Sequence, residues 1–224
     1  RILIIGLGGS NTAYFLTRMP GVEEITIVEL MEDLGALLNT YAPVAQSTFA
    51  DPRVQYVADD GRRYLYANPN EKYDMIFIDP LYSFTAGHNN LYSREAMELY
   101  RSHLADGGIF CGWMNERHTI PATAASVFPY LEQFRDWVVA GNHPIEFDRE
   151  YMTAGYTSYT ESNAGIFADA ARESLKPDVI FLEYIGDRAC ILEKDKETPL
   201  LTDTHPRLEY YYFFPPSKRP IRCD

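Results

Sequence analysis

The stretch Ile2-Leu3-Ile4-Ile5-Gly6-Leu7-Gly8-Gly9-Ser10-Asn11 decides the fold. Four consecutive apolar residues, three of them β-branched, read as a buried strand, the glycines as a tight turn, and Asn11–Met19 as a helix closed by Pro20-Gly21. In an open α/β sheet this sequence of elements places backbone N–H groups against a ligand at the carboxyl edge of the first strand. A short glycine pattern is unspecific by itself, so its meaning depends on the chain downstream.

Glu24–Leu30 is rich in β-branched residues and reads as a second strand, with Glu29 at its carboxyl end, 21 residues beyond Gly8. Met31–Tyr41 reads as a helix. Asp51-Pro52 makes a turn, Val54–Ala58 a third strand, Asp59-Asp60-Gly61 its exit and Arg62–Ala67 a short helix. Tyr73–Ile78 is a fourth strand running into Asp79-Pro80. Strands alternating with helices predict an α/β, doubly wound, mostly parallel sheet with right-handed crossovers. Leu81–Tyr92 reads as a loop over the sheet edge, and Ser93 caps a helix that runs to about Leu104. Ile109–Trp113 and Trp137–Ala140 follow as strands, separated by a helix from Thr119 to near Phe134. Beyond Gly141 the pattern weakens: Gly165–Leu175 and Val179–Lys194 read as helices, and Leu200–Phe214 as an aromatic tail. The expected organisation is a ligand-binding core over 1–141 and a C-terminal extension over 142–224 that packs on it. The aromatic run Tyr210–Phe214 packs on the core or on another subunit, and a homo-oligomer, a dimer, is expected.

The composition excludes several classes of partner. Thirty-two Asp and Glu against twenty Lys and Arg give a formal charge of −12, which repels phosphate backbones and attracts cationic small molecules. No nucleic acid partner is expected. No apolar run approaches the roughly 20 residues needed to cross a bilayer, so this segment makes no membrane contact. Cys111, Cys190 and Cys223 are odd in number and widely spaced, which suggests neither a disulfide framework nor a zinc site. His103, His118, His143 and His205 lack ligand spacing, so no metal is expected. A cytoplasmic location follows, as a separate protein or as the soluble part of a longer, membrane-associated one; the start at Arg1 suggests an upstream region.

Glu29, Asp59-Asp60 and Asp79 end the second, third and fourth strands, the edge at which doubly wound sheets bind ligands. The carboxylate of Glu29 is placed to accept both hydroxyls of a ribose, and Asp60, beside Gly61, to accept from an adenine amino group. Gly6, Gly8 and Gly9 form the turn against the same ligand. Asn11 stands where a dinucleotide fingerprint carries its third glycine, which disfavours NAD or FAD. S-adenosylmethionine or a derivative remains. The plainer reading is that each carboxylate caps a helix or sits in a solvated turn.

Several of these segments together resemble the spermidine synthase family of aminopropyltransferases: Ile2–Gly9, Ile25–Leu30, Asp51–Val54, Asp59–Leu65, Tyr73–Pro80 and Leu104–Phe110. The tail Leu200–Tyr210 resembles the end of bacterial spermidine-synthase-like proteins that are often fused to membrane segments. The resemblance implies the Rossmann fold of class I S-adenosylmethionine-dependent methyltransferases and decarboxylated S-adenosylmethionine as co-substrate. It implies a cationic amine as the small-molecule acceptor, and a place in polyamine biosynthesis. It puts Glu29 on the ribose, Asp60 at the adenine and Asp79 at the acceptor amine. Two positions depart from the family pattern: Gly9 stands where the glycine turn carries an Asp, and Tyr82 where a second Asp follows Asp79.

Asp79-Pro80-Leu81-Tyr82 is one residue from the Asp-Pro-Pro-Tyr pattern of amino methyltransferases, in which the acid accepts from the target nitrogen and the ring stacks on the substrate. Methyl transfer from ordinary S-adenosylmethionine is therefore an alternative, and a non-catalytic ligand-binding domain of the same fold is another. Both enzymatic readings share one chemistry. An alkylamine with a pKa near roughly 10.4 is mostly protonated at neutral pH, so Asp79 would orient the amine and take its proton. Tyr82, His88 and Tyr92 lie in the adjoining loop and would line the acceptor pocket.

Overall fold

A computed structural model describes residues 1–78, 80, 87–114, 116–162 and 177–206. Asp79, Tyr82, the expected helix over 165–175 and the run 210–214 lie outside the described residues. In the first half each pair of strands is joined by one helix, or by two between β2 and β3: β1 (Ile2–Ile5), α1 (Asn11–Thr17), β2 (Ile25–Glu29), α2 (Leu34–Tyr41), α3 (Pro43–Phe49), β3 (Val54–Ala58), α4 (Gly61–Ala67) and β4 (Tyr73–Ile78). It continues through α5 (Asn89–Tyr92), α6 (Arg94–Ser102), β5 (Leu104–Trp113), α7 (Thr119–Val127), β6 (Tyr130–Phe134) and β7 (Trp137–Gly141). The remaining elements are α8 (Arg149–Ser162), α9 (Pro177–Leu182), β8 (Tyr184–Asp187) and α10 (Arg188–Lys194).

The strands form one sheet in the order β3-β2-β1-β4-β5-β7-β6-β8. The first five are parallel; β7 runs antiparallel to β5 and β6, and β8 antiparallel to β6. The mostly parallel doubly wound α/β sheet expected from the alternation is what forms. Every residue of β1 is buried, because the strand has a neighbour on each side and helices on each face. Its side chains alternate between two cores. Leu3 and Ile5 join Val28, Leu65, Ile78 and Phe110 on one face, while Ile2 and Ile4 join Leu7, Ile25, Ile27 and Phe77 on the other. Chain order reverses beside β1: β2 and β3 lie on one side and β4 on the other, which opens the crevice where such sheets bind ligands.

Several element boundaries differ from the sequence reading. The helix expected to run to Phe134 stops at Val127, because Phe128 precedes Pro129 and takes an extended conformation (ψ 135°); Tyr130–Phe134 is then free to pair as β6. The expected helix over 179–194 is two helices around β8, and Asp187 caps the second by accepting the Cys190 N–H at 2.9 Å. The fifth strand begins at Leu104 rather than Ile109, with a shift of register that Gly107 accommodates at φ 74°. Cys190 is disulfide-bonded, which the cysteine count had not suggested.

Candidate active site

The glycine turn is shaped by its backbone. Gly6 and Gly8 take φ 92° and 53°, the left-handed region that glycine enters without a Cβ clash. Ser10 follows at φ 68°, fully buried, with its hydroxyl donating to Thr48 Oγ1 at 3.1 Å. Gly9 is exposed and is not left-handed. A Cβ there would meet only Asn11 Nδ2, at 3.4 Å.

Glu29 ends β2 against this turn. Its Oε2 accepts the Leu7 N–H at 2.8 Å and its Oε1 the Met31 N–H at 2.9 Å, and the residue is 9% exposed. An ionised carboxylate offers about four acceptor sites, so two backbone bonds fix it while leaving acceptor capacity for a ligand. The next two residues, Leu30 and Met31, stand 73% and 62% exposed and set apolar surface beside that charge.

Asp60 does what the plainer reading of a carboxylate at a strand exit foresaw. It caps α4, its Oδ1 accepting the N–H groups of Arg62 and Arg63 at 3.0 and 2.9 Å, and its side chain remains exposed. Gly61 is glycine for packing: a Cβ there would lie 2.4 Å from Ile5 Cγ2, at the end of β1. Asp59 accepts from Arg63 at 2.7 Å. The β3 exit is thus rigid and abuts the end of β1.

On the other side of the crevice, Ile78 pairs with Ile5 and directly precedes Asp79. His88 is half-buried at the start of α5. Tyr92, expected to line the acceptor pocket, is instead 0% exposed and donates to the Trp113 carbonyl at 2.5 Å, so it props the end of β5 from within the core.

Two side chains of this edge, Glu116 and Arg62, were missed in the sequence, and Asp203 approaches the site because the C-terminal segment folds back, which the sequence cannot show. Glu116 is 3% exposed and gathers the N–H groups of His118, Thr119 and Ile120 at 3.1, 2.6 and 3.0 Å, capping α7. Burial pushes its carboxyl up, against those hydrogen bonds, which pull it down. A carboxylate just before Thr119-Ile120-Pro121 was the available signal. Arg62 and Asp203 form a two-bond ion pair, both bonds 2.7 Å, across 141 residues of sequence, and no local pattern announces it. Among the described residues no group of three His, Cys, Asp or Glu could hold a metal ion, and no helix is long and apolar enough to cross a membrane.

Residues 1–131 match the family model of the spermine/spermidine synthase domain, more than half of the chain. The chain belongs to that family. Putrescine N-methyltransferase 2 of Nicotiana attenuata is 32% identical over 111 residues, covering 50% of this chain and 30% of its own length. The polyamine aminopropyltransferase of Korarchaeum cryptofilum is 28% identical over 161 residues, covering 71% and 49%. That of Nitrosomonas europaea is 32% identical over 108 residues, covering 48% and 33%. The chain therefore spans half or less of the length of these relatives. Among solved structures, a spermidine synthase in complex with the transition state analogue AdoDATO superposes with a TM-score of 0.61 at 20% identity, covering 78% of this chain and 68% of the other. Human methyltransferase-like protein 13 in complex with SAH gives 0.52 at 18% identity, covering 75% and 83%. Both show the same fold. The family match takes in the glycine turn, Glu29, Asp60, α5 and Glu116, and ends 72 residues before Asp203.

Proposed function

We propose that this domain belongs to a transferase that moves an aminopropyl group from decarboxylated S-adenosylmethionine to a cationic amine. The carrying observation is Glu29, pinned by two backbone N–H groups at the switch edge of a domain of this family, with acceptor sites left over for ribose hydroxyls. Gly6 and Gly8 let the backbone approach the nucleoside, and Leu30 and Met31 offer it apolar surface. The relatives named as polyamine aminopropyltransferases support this donor, and the charge of −12 favours a cationic acceptor.

In the reaction, the amine lone pair forms a new N–C bond while the C–S bond breaks and its electron pair stays on sulfur. Methylthioadenosine leaves as a neutral thioether. The proton lost from nitrogen passes to Asp79 and from there to water, and holding amine and sulfonium in line supplies much of the acceleration.

A second reading is methyl transfer from ordinary S-adenosylmethionine to the same class of amine. Position 9 favours it: glycine there leaves no carboxylate to hold the donor's aminopropyl ammonium and nothing to repel the carboxylate of the unmodified donor. The putrescine N-methyltransferase relative points the same way. Incubating the chain with putrescine and each donor in turn, with mass spectrometry of the products, separates the two. Aminopropylated amine with methylthioadenosine supports the first reading, and methylated amine with S-adenosylhomocysteine the second. No transfer from either donor overturns both.

A further inference from the structure

The C-terminal segment Leu201–His205 returns to the site. Asp203 meets the Arg62 guanidinium fork to fork, Nη1 to Oδ1 and Nη2 to Oδ2, both at 2.7 Å. Two parallel charge-assisted bonds fix orientation as well as distance, which a lysine would not do. The same guanidinium donates to the Asn90 carbonyl at 3.2 Å. The carbonyls of the four-residue α5 lack partners within the helix, and that of Asn90 takes the guanidinium as the shorter of two side-chain donors, Ser93 Oγ lying at 3.5 Å.

The segment is secured on the far side as well. The Asp203 N–H donates to Glu95 Oε2 at 3.1 Å, the Thr202 carbonyl accepts from Asn89 Nδ2 at 3.1 Å, and the carbonyl of fully buried Leu201 accepts the Arg94 N–H at 2.9 Å. It is thus stitched to the starts of α5 and α6, and through Arg62 to the start of α4.

These attachments join the two sides of the crevice. Arg62 lies two residues after Asp60, on the β3 exit that abuts β1, whereas α5 lies between β4 and α6. We infer that Asp203, acting through Arg62, is a positioning residue that sets α5 and the amine side of the site against the nucleoside side. Which ligand occupies each side rests on the function proposed above; the clamp itself does not. The family match ends at residue 131, so the clamp pairs a residue inside the family domain with one contributed by the chain beyond it. Glu29 and the glycine turn have bonds of their own and do not depend on it.

The test uses the whole chain with Asp203→Asn, Asp203→Glu and Arg62→Lys. Three quantities are read: amide exchange over 88–93, affinity for methylthioadenosine by calorimetry, and KM for putrescine with whichever donor turns over. Asp203→Asn and Arg62→Lys are expected to speed exchange over 88–93 and raise the putrescine KM, each about tenfold. Methylthioadenosine affinity stays within about twofold, because Glu29 is untouched. Asp203→Glu keeps the carboxylate and restores most of the loss. Unchanged exchange over 88–93, or a loss of nucleoside affinity as large as the rise in KM, overturns the inference. Should the unaltered chain not turn over putrescine, the proposed function fails and the exchange measurement still decides the clamp.

Discussion

Glu29 and Leu7 are joined across the sheet edge, the carboxylate that ends β2 accepting at 2.8 Å the backbone N–H of the turn that ends β1. The acid therefore sets the shape of the glycine turn as well as its charge. Replacing Glu29 by Gln turns one acceptor oxygen into a donor facing an N–H. Hydrogen bonds to a charged group contribute about 1.5–3 kcal/mol, so Glu29→Gln is expected to weaken methylthioadenosine binding by roughly 10- to 150-fold. Calorimetry on the folded variant measures this, and near-normal affinity would show that Glu29 does not hold the ribose.

Gly9 and Gly61 make a contrasting pair. A Cβ at Gly9 would meet only Asn11 Nδ2, at 3.4 Å, an ordinary contact, so the backbone leaves room for the first atom of an aspartate. Gly9→Asp introduces the acid that the family pattern carries, and should raise the preference for decarboxylated over ordinary S-adenosylmethionine by about tenfold, through attraction of an ammonium and repulsion of a carboxylate. The ratio of the two dissociation constants, before and after the change, is the readout. At Gly61 the new Cβ would lie 2.4 Å from Ile5 Cγ2. Gly61→Ala should therefore cost about 1–3 kcal/mol of stability in urea unfolding, as overpacked sites do.

Asp203 gives a pH dependence with a definite sign. The Arg62 guanidinium holds the Asp203 carboxyl below the usual carboxylate range, with burial opposing. The folded state therefore binds the proton less readily than the unfolded chain, whose Asp titrates near about 3.9. The pair's contribution is fully present above that pH and is lost as pH falls through the lower folded value. With the side chain 36% exposed, solvent screens it to about 0–1 kcal/mol. Unfolding free energies measured from pH 6 down to pH 2.5 should fall less steeply for Asp203→Asn than for the unaltered chain; identical slopes would contradict the assignment.

The AspProArg turn before β3 is a staple. Arg53 holds both oxygens of Asp51, at 2.9 and 2.7 Å, and donates to the carbonyls of Val22 at 2.7 Å and of Thr17 at 2.6 Å. A lysine cannot serve four acceptors in that plane. Arg53→Lys is expected to cost about 1–3 kcal/mol in thermal or urea unfolding, with nucleoside affinity per folded molecule unchanged.

The elements legible in the sequence are those whose signal is local. Ile2–Ile5 and Tyr73–Ile78 are apolar runs bounded by turn residues, and Glu29 and Asp60 fall at strand ends that such runs define. Tyr130–Phe134 was read as helix because a five-residue segment with both apolar and polar residues fits either period, and only pairing with β7 and β8 makes it a strand. Tyr92 was read as a pocket residue because an aromatic in a polar loop suggests a surface; its burial comes from the hydrogen bond to Trp113 and packing against a core assembled from distant elements. Asp60 carries the signature of a helix cap as plainly as that of a ligand contact, and the capping bonds are what form. The Arg62–Asp203 pair was beyond reach, since the spacing between its partners encodes nothing until the chain has folded.

The proposed function stands on an adenosyl-sulfonium site at the carboxyl edge of the sheet, centred on Glu29. Titration calorimetry of the chain with methylthioadenosine, decarboxylated S-adenosylmethionine and S-adenosylmethionine, repeated with Glu29→Gln, tests it most directly. Saturable one-site binding of methylthioadenosine and of at least one donor is expected, both weakened by the roughly 10- to 150-fold above when Glu29 is changed. Absence of binding by all three nucleosides, or binding indifferent to Glu29, would contradict it.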